Sequence, residues 1–114
     1  MTLAAVVETD TPVERRAAER RAFQKITSRL VEAANNGELD ALTRRHALET
    51  NRLFWSVLKD NVFSEENRLT IDVKGQIVTL ATWVEGYTDR VLRGESAEIR
   101  PLISINDTVM EGLA

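Results

Sequence analysis

Apolar residues recur along this chain at the spacing of an α-helix, and the stretch from residue 42 to residue 62 shows the pattern best. The members of its stripe follow one another at steps of seven, three and four residues, so they share one helix face. They are Leu48, Trp55, Leu58 and Val62. A helix with such a face must be covered by others, and we expect this central helix to start at Glu38-Leu39-Asp40 and to run to about Val62.

Asn51 fills the missing position of this stripe. A buried amide is costly unless it is hydrogen-bonded, so Asn51 is expected to bond to a neighbouring helix and fix how that helix docks. The other interpretation is a direct contact with a partner. Trp55 is expected in the core, because aromatic residues at helical spacing usually pack.

A first helix is predicted to start at Thr11-Pro12-Val13-Glu14. Thr11 suits the N-cap, Pro12 the first helical position and Glu14 the first turn, where a carboxylate complements the helix dipole. Asn35-Asn36-Gly37 is a strong stop signal. The apolar stripe between them consists of Ala18, Ala22, Phe23, Ile26, Leu30, Ala33 and Ala34. Residues 1–10 are predicted to be a flexible arm; the alternative is a short segment laid over the core.

A third helix is predicted from the cap Thr70 to Arg93-Gly94. Its main stripe is Ile77, Leu80, Ala81, Val84, Thr88, Val91 and Leu92. Further large residues widen the stripe, which predicts burial on more than one side; they are Val73, Val78, Trp83 and Tyr87. Gly75 and Gly86 each cost roughly 1 kcal/mol relative to Ala inside a helix, which suggests a close helix approach or a bend.

A last helix is predicted to start at Pro101 and to span about 13 residues, too short to be stable in water by itself. Its apolar face consists of Leu102, Ile103, Ile105, Asn106, Val109, Met110 and Leu113. We expect it to dock on the protein's own core rather than on a partner. The predicted fold is therefore all-α, a small bundle of three long helices plus a short C-terminal helix, in a single domain over residues 11–114.

The amino-acid composition excludes several kinds of functional site. The 114 residues are 43% hydrophobic and 29% charged, as in an ordinary globular domain, and include no cysteine. The lack of cysteine excludes a disulfide scaffold, a cysteine zinc site and a thiol nucleophile. The single histidine, His46, has no second ligand at metal-binding spacing. With no phosphate loop and no catalytic set either, we expect no enzyme activity, no cofactor, no metal and no small-molecule substrate.

No secretory signal and no membrane-spanning stretch are recognisable, which favours a cytoplasmic protein without a membrane partner. The formal net charge of −3 gives no overall attraction to nucleic acid. Basic residues nevertheless concentrate in the first helix, where a docking face for an acidic partner or RNA would consist of Arg15, Arg16, Arg20 and Arg21. The other interpretation is a solvated helix face. The acidic balance of residues 37–114 favours a protein partner over RNA.

Four blocks of the sequence carry a resemblance to a known family. They are Thr11–Glu14, Ala47–Trp55, Leu80–Thr88 and Leu102–Leu113. In this order they resemble the successive blocks of the FlaF family, flagellar biosynthesis regulators of alphaproteobacteria. The strongest likeness lies in Asn51 to Trp55 and in Ile105-Asn106 to Gly112-Leu113.

This resemblance implies a role in flagellum biogenesis, with a requirement for flagellin synthesis or export. It further implies a cytoplasmic chaperone that binds flagellin, and cooperation with the translational regulator FlbT. An apolar groove between the helices could hold an amphipathic flagellin segment. The residues expected to bind this partner are Asn51, Trp55, Trp83, Leu102, Ile103, Asn106 and Met110. The alternative is a post-transcriptional regulator of flagellin expression that acts through FlbT or RNA by its basic face.

Overall fold

Four α-helices make up the fold in a computed structural model, which describes residues 12–36, 40–64, 69–95 and 98–112. The helices are α1 (Pro12–Asn35), α2 (Ala41–Asn61), α3 (Ile71–Leu92) and α4 (Arg100–Gly112). No strand occurs in these four ranges. The all-α prediction of three long helices and a short C-terminal one is confirmed. The predicted arm and the predicted cap Thr11 lie outside the described residues.

The capping side chains explain where α2 and α3 begin. Asp40 accepts a 2.8 Å hydrogen bond at Oδ1 from the backbone N–H of Thr43, and a 2.9 Å bond at Oδ2 from the Thr43 hydroxyl. Thr70 caps α3 as predicted, because its Oγ1 accepts from the backbone N–H of Val73 at 3.3 Å. These bonds satisfy donors that the first turn of a helix leaves unpaired.

The C-terminal end of α3 lies where the sequence predicts it. Gly94 adopts a φ of +81°, a left-handed conformation that glycine reaches without strain. The backbone N–H of Gly94 donates a 3.0 Å bond to the carbonyl of Val91, which closes the last turn.

The core lies where the four helices meet. Phe23 of α1 contacts two rings of α2 edge-on, with centroid distances of 4.5 Å to Phe54 and 5.7 Å to Trp55. Edge-to-face contacts of this kind are a favoured aromatic geometry. Apolar side chains that are almost fully buried belong to the same cluster as the rings; they include Leu30, Leu48, Val84 and Leu102.

The prediction that α3 is buried on more than one side is wrong. α2 lies between α1 and α3, and α4 packs on α1, so α3 is an edge helix of the bundle. Its inner side buries Ala81 and Val84 completely, whereas Val73 is 37% exposed and Trp83 is 42% exposed. Val73 and Trp83 therefore reach solvent rather than a second helix, whereas Tyr87 is partly buried against the core.

Of the two explanations expected for Gly75 and Gly86, the close helix approach is wrong within the described ranges, and the bend stays a prediction. A Cβ atom added at either glycine would meet nothing within 4 Å. Both positions lie on the exposed side of α3. No helix in the described ranges is long and apolar enough to cross a membrane.

Candidate functional site

A cluster of polar side chains is buried beneath α4. Asn106 accepts a 2.9 Å hydrogen bond from the indole Nε1 of Trp55. Its amide Nδ2 donates to Thr27 Oγ1 at 3.0 Å and to Asn51 Oδ1 at 2.8 Å. Asn106 therefore connects α4 to both α1 and α2 through atoms that are shielded from water. The predicted structural role of Asn51 agrees with this geometry.

One donor of the cluster has no acceptor. Among the described residues, Asn51 Nδ2 is the buried side-chain nitrogen without a hydrogen-bond partner. The orientation of this amide follows from its neighbour, because Asn51 must present Oδ1 to Asn106 Nδ2. A buried polar group left unpaired costs about 1–3 kcal/mol, so the interface beneath α4 is less favourable than a fully paired one.

The residues expected to bind a partner differ sharply in accessibility. Asn51, Trp55, Leu102 and Asn106 are fully buried. Ile103 and Met110 are partly buried against the core. The described residues thus form no open groove at these six positions, because α4 covers the apolar cleft itself. A partner could reach them only if α4 moved away.

Trp83, the seventh of these residues, lies apart on the outer side of α3. Its ring stacks on that of Tyr87, with centroids 4.9 Å apart and an interplanar angle of 12°. The guanidinium of Arg90 lies 5.9 Å from the centre of the Tyr87 ring, within reach of a cation–π interaction. A shallow depression of about 400 Å³ runs along this side, and Gly86 and Arg93 also line it.

Sequence reasoning missed Arg90 and Arg93 in this patch. Both lie near the end of a helix, where a basic residue already has the ordinary explanation of complementing the helix dipole. The helical positions of Trp83, Gly86 and Arg90 on one face were the available signal.

Three polar contacts hold α3 against α2 beside this patch. Arg52 of α2 pairs with Asp89 of α3 at 3.3 Å, and Lys59 pairs with Glu85 at 3.4 Å. Glu85 also accepts a 3.1 Å bond from the hydroxyl of Ser56. These contacts orient α3 so that its Trp83 side faces outward.

The expected basic face is visible in part. Arg20 and Arg21 are exposed on α1, and Lys25 and Arg29 are exposed further along the same helix. The side chains of Arg15 and Arg16 lie outside the described residues. The exposed cations agree with both interpretations of the basic residues, a solvated face and a docking face.

Little in the described part of the chain suggests chemistry at a reactive centre. No three metal-binding side chains lie together there, and His46 is exposed. The pKa of Asp40 is lowered, first by the hydrogen bond from the backbone N–H of Thr43 and then by the Thr43 hydroxyl. That shift comes from helix capping, so it does not indicate an active site.

The comparisons with known proteins point to one family. A family model described as "Flagellar protein FlaF" matches residues 5–113, almost the entire chain. Comparisons with curated proteins and with solved structures give no match. The matched range includes all four helices, the amide cluster and the Trp83 patch. The chain therefore belongs to the FlaF family of flagellar proteins.

Proposed function

We propose that this flagellar protein binds unassembled flagellin in the cytoplasm and keeps it competent for export. Family membership supports a flagellar role. The helical bundle supports a binding protein over an enzyme, since its specific features are buried amides and an exposed aromatic patch. Flagellin, in turn, offers terminal segments that are amphipathic and that fold only on assembly.

The guest segment takes the place of α4 in this proposal. α4 has 13 residues, and only Leu102 and Asn106 of them are fully buried. A helix of this length depends on docking for its stability, so it is the easiest helix of the bundle to release. Its release would uncover an apolar cleft between α1 and α2 that includes Phe23, Leu30 and Trp55.

The observation that carries the proposal is the unpaired amide of Asn51. α4 leaves one donor unsatisfied in the cleft it covers, although every other polar atom of the cluster has a partner there. A guest helix with one additional acceptor could satisfy this donor. Since an unpaired buried group costs about 1–3 kcal/mol, such a guest would gain an advantage over α4 for the same cleft.

This geometry defines the chemistry of the guest. It should be an amphipathic helix with large apolar residues one turn apart, because the cleft binds a helix as a groove does. Among them it needs an amide that makes the bonds of Asn106, accepting from Trp55 Nε1 and donating to Thr27 Oγ1 and Asn51 Oδ1. It also needs one further acceptor for Asn51 Nδ2. Asn51, Trp55 and Thr27 then contact the guest, while Leu102, Ile103, Asn106 and Met110 leave together with α4.

Calorimetric titration of the full chain with monomeric flagellin tests the proposal. The variant Met110→Ala weakens the docking of α4 without altering the cleft. It should bind flagellin about five-fold more tightly, since roughly 1 kcal/mol less opposes release of α4. Ile71→Ala removes an apolar side chain that is 84% exposed on α3, and it serves as the control with unchanged affinity.

Two results would contradict this proposal. The first is the absence of any complex at micromolar concentration. The second is weaker binding by Met110→Ala at unchanged helix content, because α4 would then contact the guest instead of yielding its place.

A second candidate function is regulation of flagellin expression through FlbT or RNA. The exposed Arg20 and Arg21 on α1 would be its docking face. Replacing both by Glu should then abolish regulation of flagellin synthesis in cells and leave flagellin binding intact. If regulation survives the double replacement, these arginines are solvated surface residues.

A further inference from the structure

The outer face of α3 is exposed from one end of the helix to the other. Asp72, Thr79, Trp83, Gly86 and Arg90 all lie on it and are exposed. Asp72 and Arg90 are separated by 18 residues, which is five helical turns, so they lie on the same line about 27 Å apart. Trp83 and Thr79 lie close to this line, near its middle.

The two ends of this line carry opposite charges that have no ionic partner in the described part of the chain. Among the described residues, Asp72 forms neither an ion pair nor a side-chain hydrogen bond, whereas the neighbouring carboxylates Glu85 and Asp89 are paired with α2. Arg90 contacts the ring of Tyr87 and likewise has no carboxylate partner there. The face therefore carries one unpaired negative charge at its N-terminal end and one unpaired positive charge at its C-terminal end.

We propose that this face binds a second copy of the same chain, with the two α3 helices antiparallel. A two-fold axis at the level of residue 81, midway between Asp72 and Arg90, places Asp72 opposite Arg90 of the second copy. The same operation creates the reverse ion pair at the other end, because a two-fold interface is self-complementary. Charge complementarity thus fixes both the occupant and its direction.

The sizes of the side chains agree with the same alignment. Residues that lie at matching levels on the same side of the line face each other, so Trp83 lies opposite Thr79 and Tyr87 lies opposite Gln76. Gly86 lies opposite Gly75. Each large side chain thereby meets a smaller residue, which is the alternation that lets facing helices interdigitate. This alignment also gives Gly75 and Gly86 a role that the single chain does not.

A parallel arrangement of the two helices would lose both the ion pairs and the match of large with small side chains. It would place Asp72 beside Asp72, Arg90 beside Arg90 and Trp83 beside Trp83 of the second copy. Like charges in contact are unfavourable, and the two indoles would compete for the same space. The antiparallel pair is the one that the sequence of this face allows.

The dimer should be weak and dependent on concentration. The interface uses one face of a 22-residue helix, about 33 Å long, which places it at the small end of specific protein interfaces. We expect a dissociation constant on the order of 100 μM. Trp83 supplies the largest apolar contact, so it should be the residue whose truncation costs the most.

Sedimentation equilibrium of the full chain over a range of concentrations tests the proposal through charge exchange. Asp72→Arg alone and Arg90→Asp alone each place like charges opposite each other, and each should weaken the dimer about ten-fold. An equimolar mixture of the two variants should associate as tightly as the unchanged protein, since the heterodimer restores both ion pairs. Arg29→Glu, a charge reversal at an exposed position of α1, should have no effect.

Two further variants, Gly86→Ala and Trp83→Ala, test the packing of side chains in the dimer interface. Gly86→Ala should weaken the dimer, because the added methyl group lies where the helix approaches Gly75 of the second copy. Trp83→Ala should abolish association. An unchanged protein that stays monomeric at millimolar concentration would overturn the proposal, and so would a mixture of the charge variants that fails to associate. Loss of flagellin binding in Arg90→Asp, with the unchanged protein monomeric, would assign the face to flagellin instead.

Discussion

Trp55 and Asn106 are 51 residues apart in the chain, and the indole Nε1 of the first donates a 2.9 Å hydrogen bond to Oδ1 of the second. Both side chains are fully buried. Hydrogen bonds of Asn106 to Asn51 and Thr27 complete a connection between three helices. Because these bonds form in only one register, they determine how far along α1 the last helix docks.

Replacing Asn106 by Leu should destabilise the protein by about 2–4 kcal/mol, although the volume of the side chain is nearly kept. The change leaves the Trp55 indole N–H, the Thr27 hydroxyl and the Asn51 amide without their partner in a closed interior. Urea unfolding followed by circular dichroism measures the effect. Asn35→Ala is a control, because it removes an exposed amide that accepts from Arg100. If Asn106→Leu lowered the free energy of unfolding no more than Asn35→Ala does, the amide cluster would contribute little to stability.

The two tryptophans should differ clearly in their fluorescence. Trp55 is fully buried, whereas Trp83 is 42% exposed. Trp83→Phe therefore should shift the emission maximum to shorter wavelength and reduce quenching by acrylamide, since only the shielded indole remains. Emission of Trp83→Phe that is still red-shifted and readily quenched would place Trp55 in contact with water, contrary to this structure.

Two glycines near the end of α3 should respond to alanine in opposite directions. At Gly86 the added Cβ meets nothing within 4 Å in an ordinary helix, so Gly86→Ala should stabilise the monomer by about 1 kcal/mol. At Gly94 the φ of +81° is unfavourable for alanine, so Gly94→Ala should destabilise it by about 1 kcal/mol. Thermal melts at low protein concentration measure both. Equal shifts of the melting temperature in the same direction would contradict the helical conformation of Gly86 and the left-handed conformation of Gly94.

The cap at Asp40 should make stability depend on pH. Its hydrogen bonds with Thr43 lower the pKa of the carboxyl group in the folded protein. A carboxyl group whose pKa is lower in the folded state stabilises the fold above its ordinary pKa of about 4, and this contribution is lost as the pH falls. Asp40→Ala should therefore be less stable than the unchanged protein at pH 7, and the difference should shrink below about pH 4. If the difference in stability between the unchanged protein and Asp40→Ala stayed constant down to pH 3, the capping role of Asp40 would be contradicted.

The sequence predicts most of the helical framework. Thr70 and Gly94 mark the ends of α3, and Pro12 marks the start of α1, because capping and turn formation depend on residues close in the chain. The buried stripe of α2 is equally readable, since helical spacing places Leu48, Asn51 and Trp55 together. The start of α2 at Ala41, after Asp40 as its cap, differs by a few residues from the predicted start at Glu38.

The candidate sites could be predicted less well. The stripe predicts that Asn106 faces inward, but nothing in the sequence pairs it with Trp55 or leaves the Asn51 amide unpaired. An outward Trp83 was unexpected, because a wide apolar stripe has the same pattern whether a neighbouring helix covers it or not. Similarly, the unpaired state of Asp72 and Arg90 depends on which helix lies beside α3.

By itself, then, the sequence determined which segments are helices, where they start and stop, and which faces are apolar, since these follow from contacts within a few residues. Only the tertiary structure decided which faces are covered. It closed α4 over the predicted groove, joined Asn106 to three side chains on two other helices, and left the outer face of α3 open. The physical reason is that burial depends on the relative positions of whole helices, which hydrophobic periodicity does not specify.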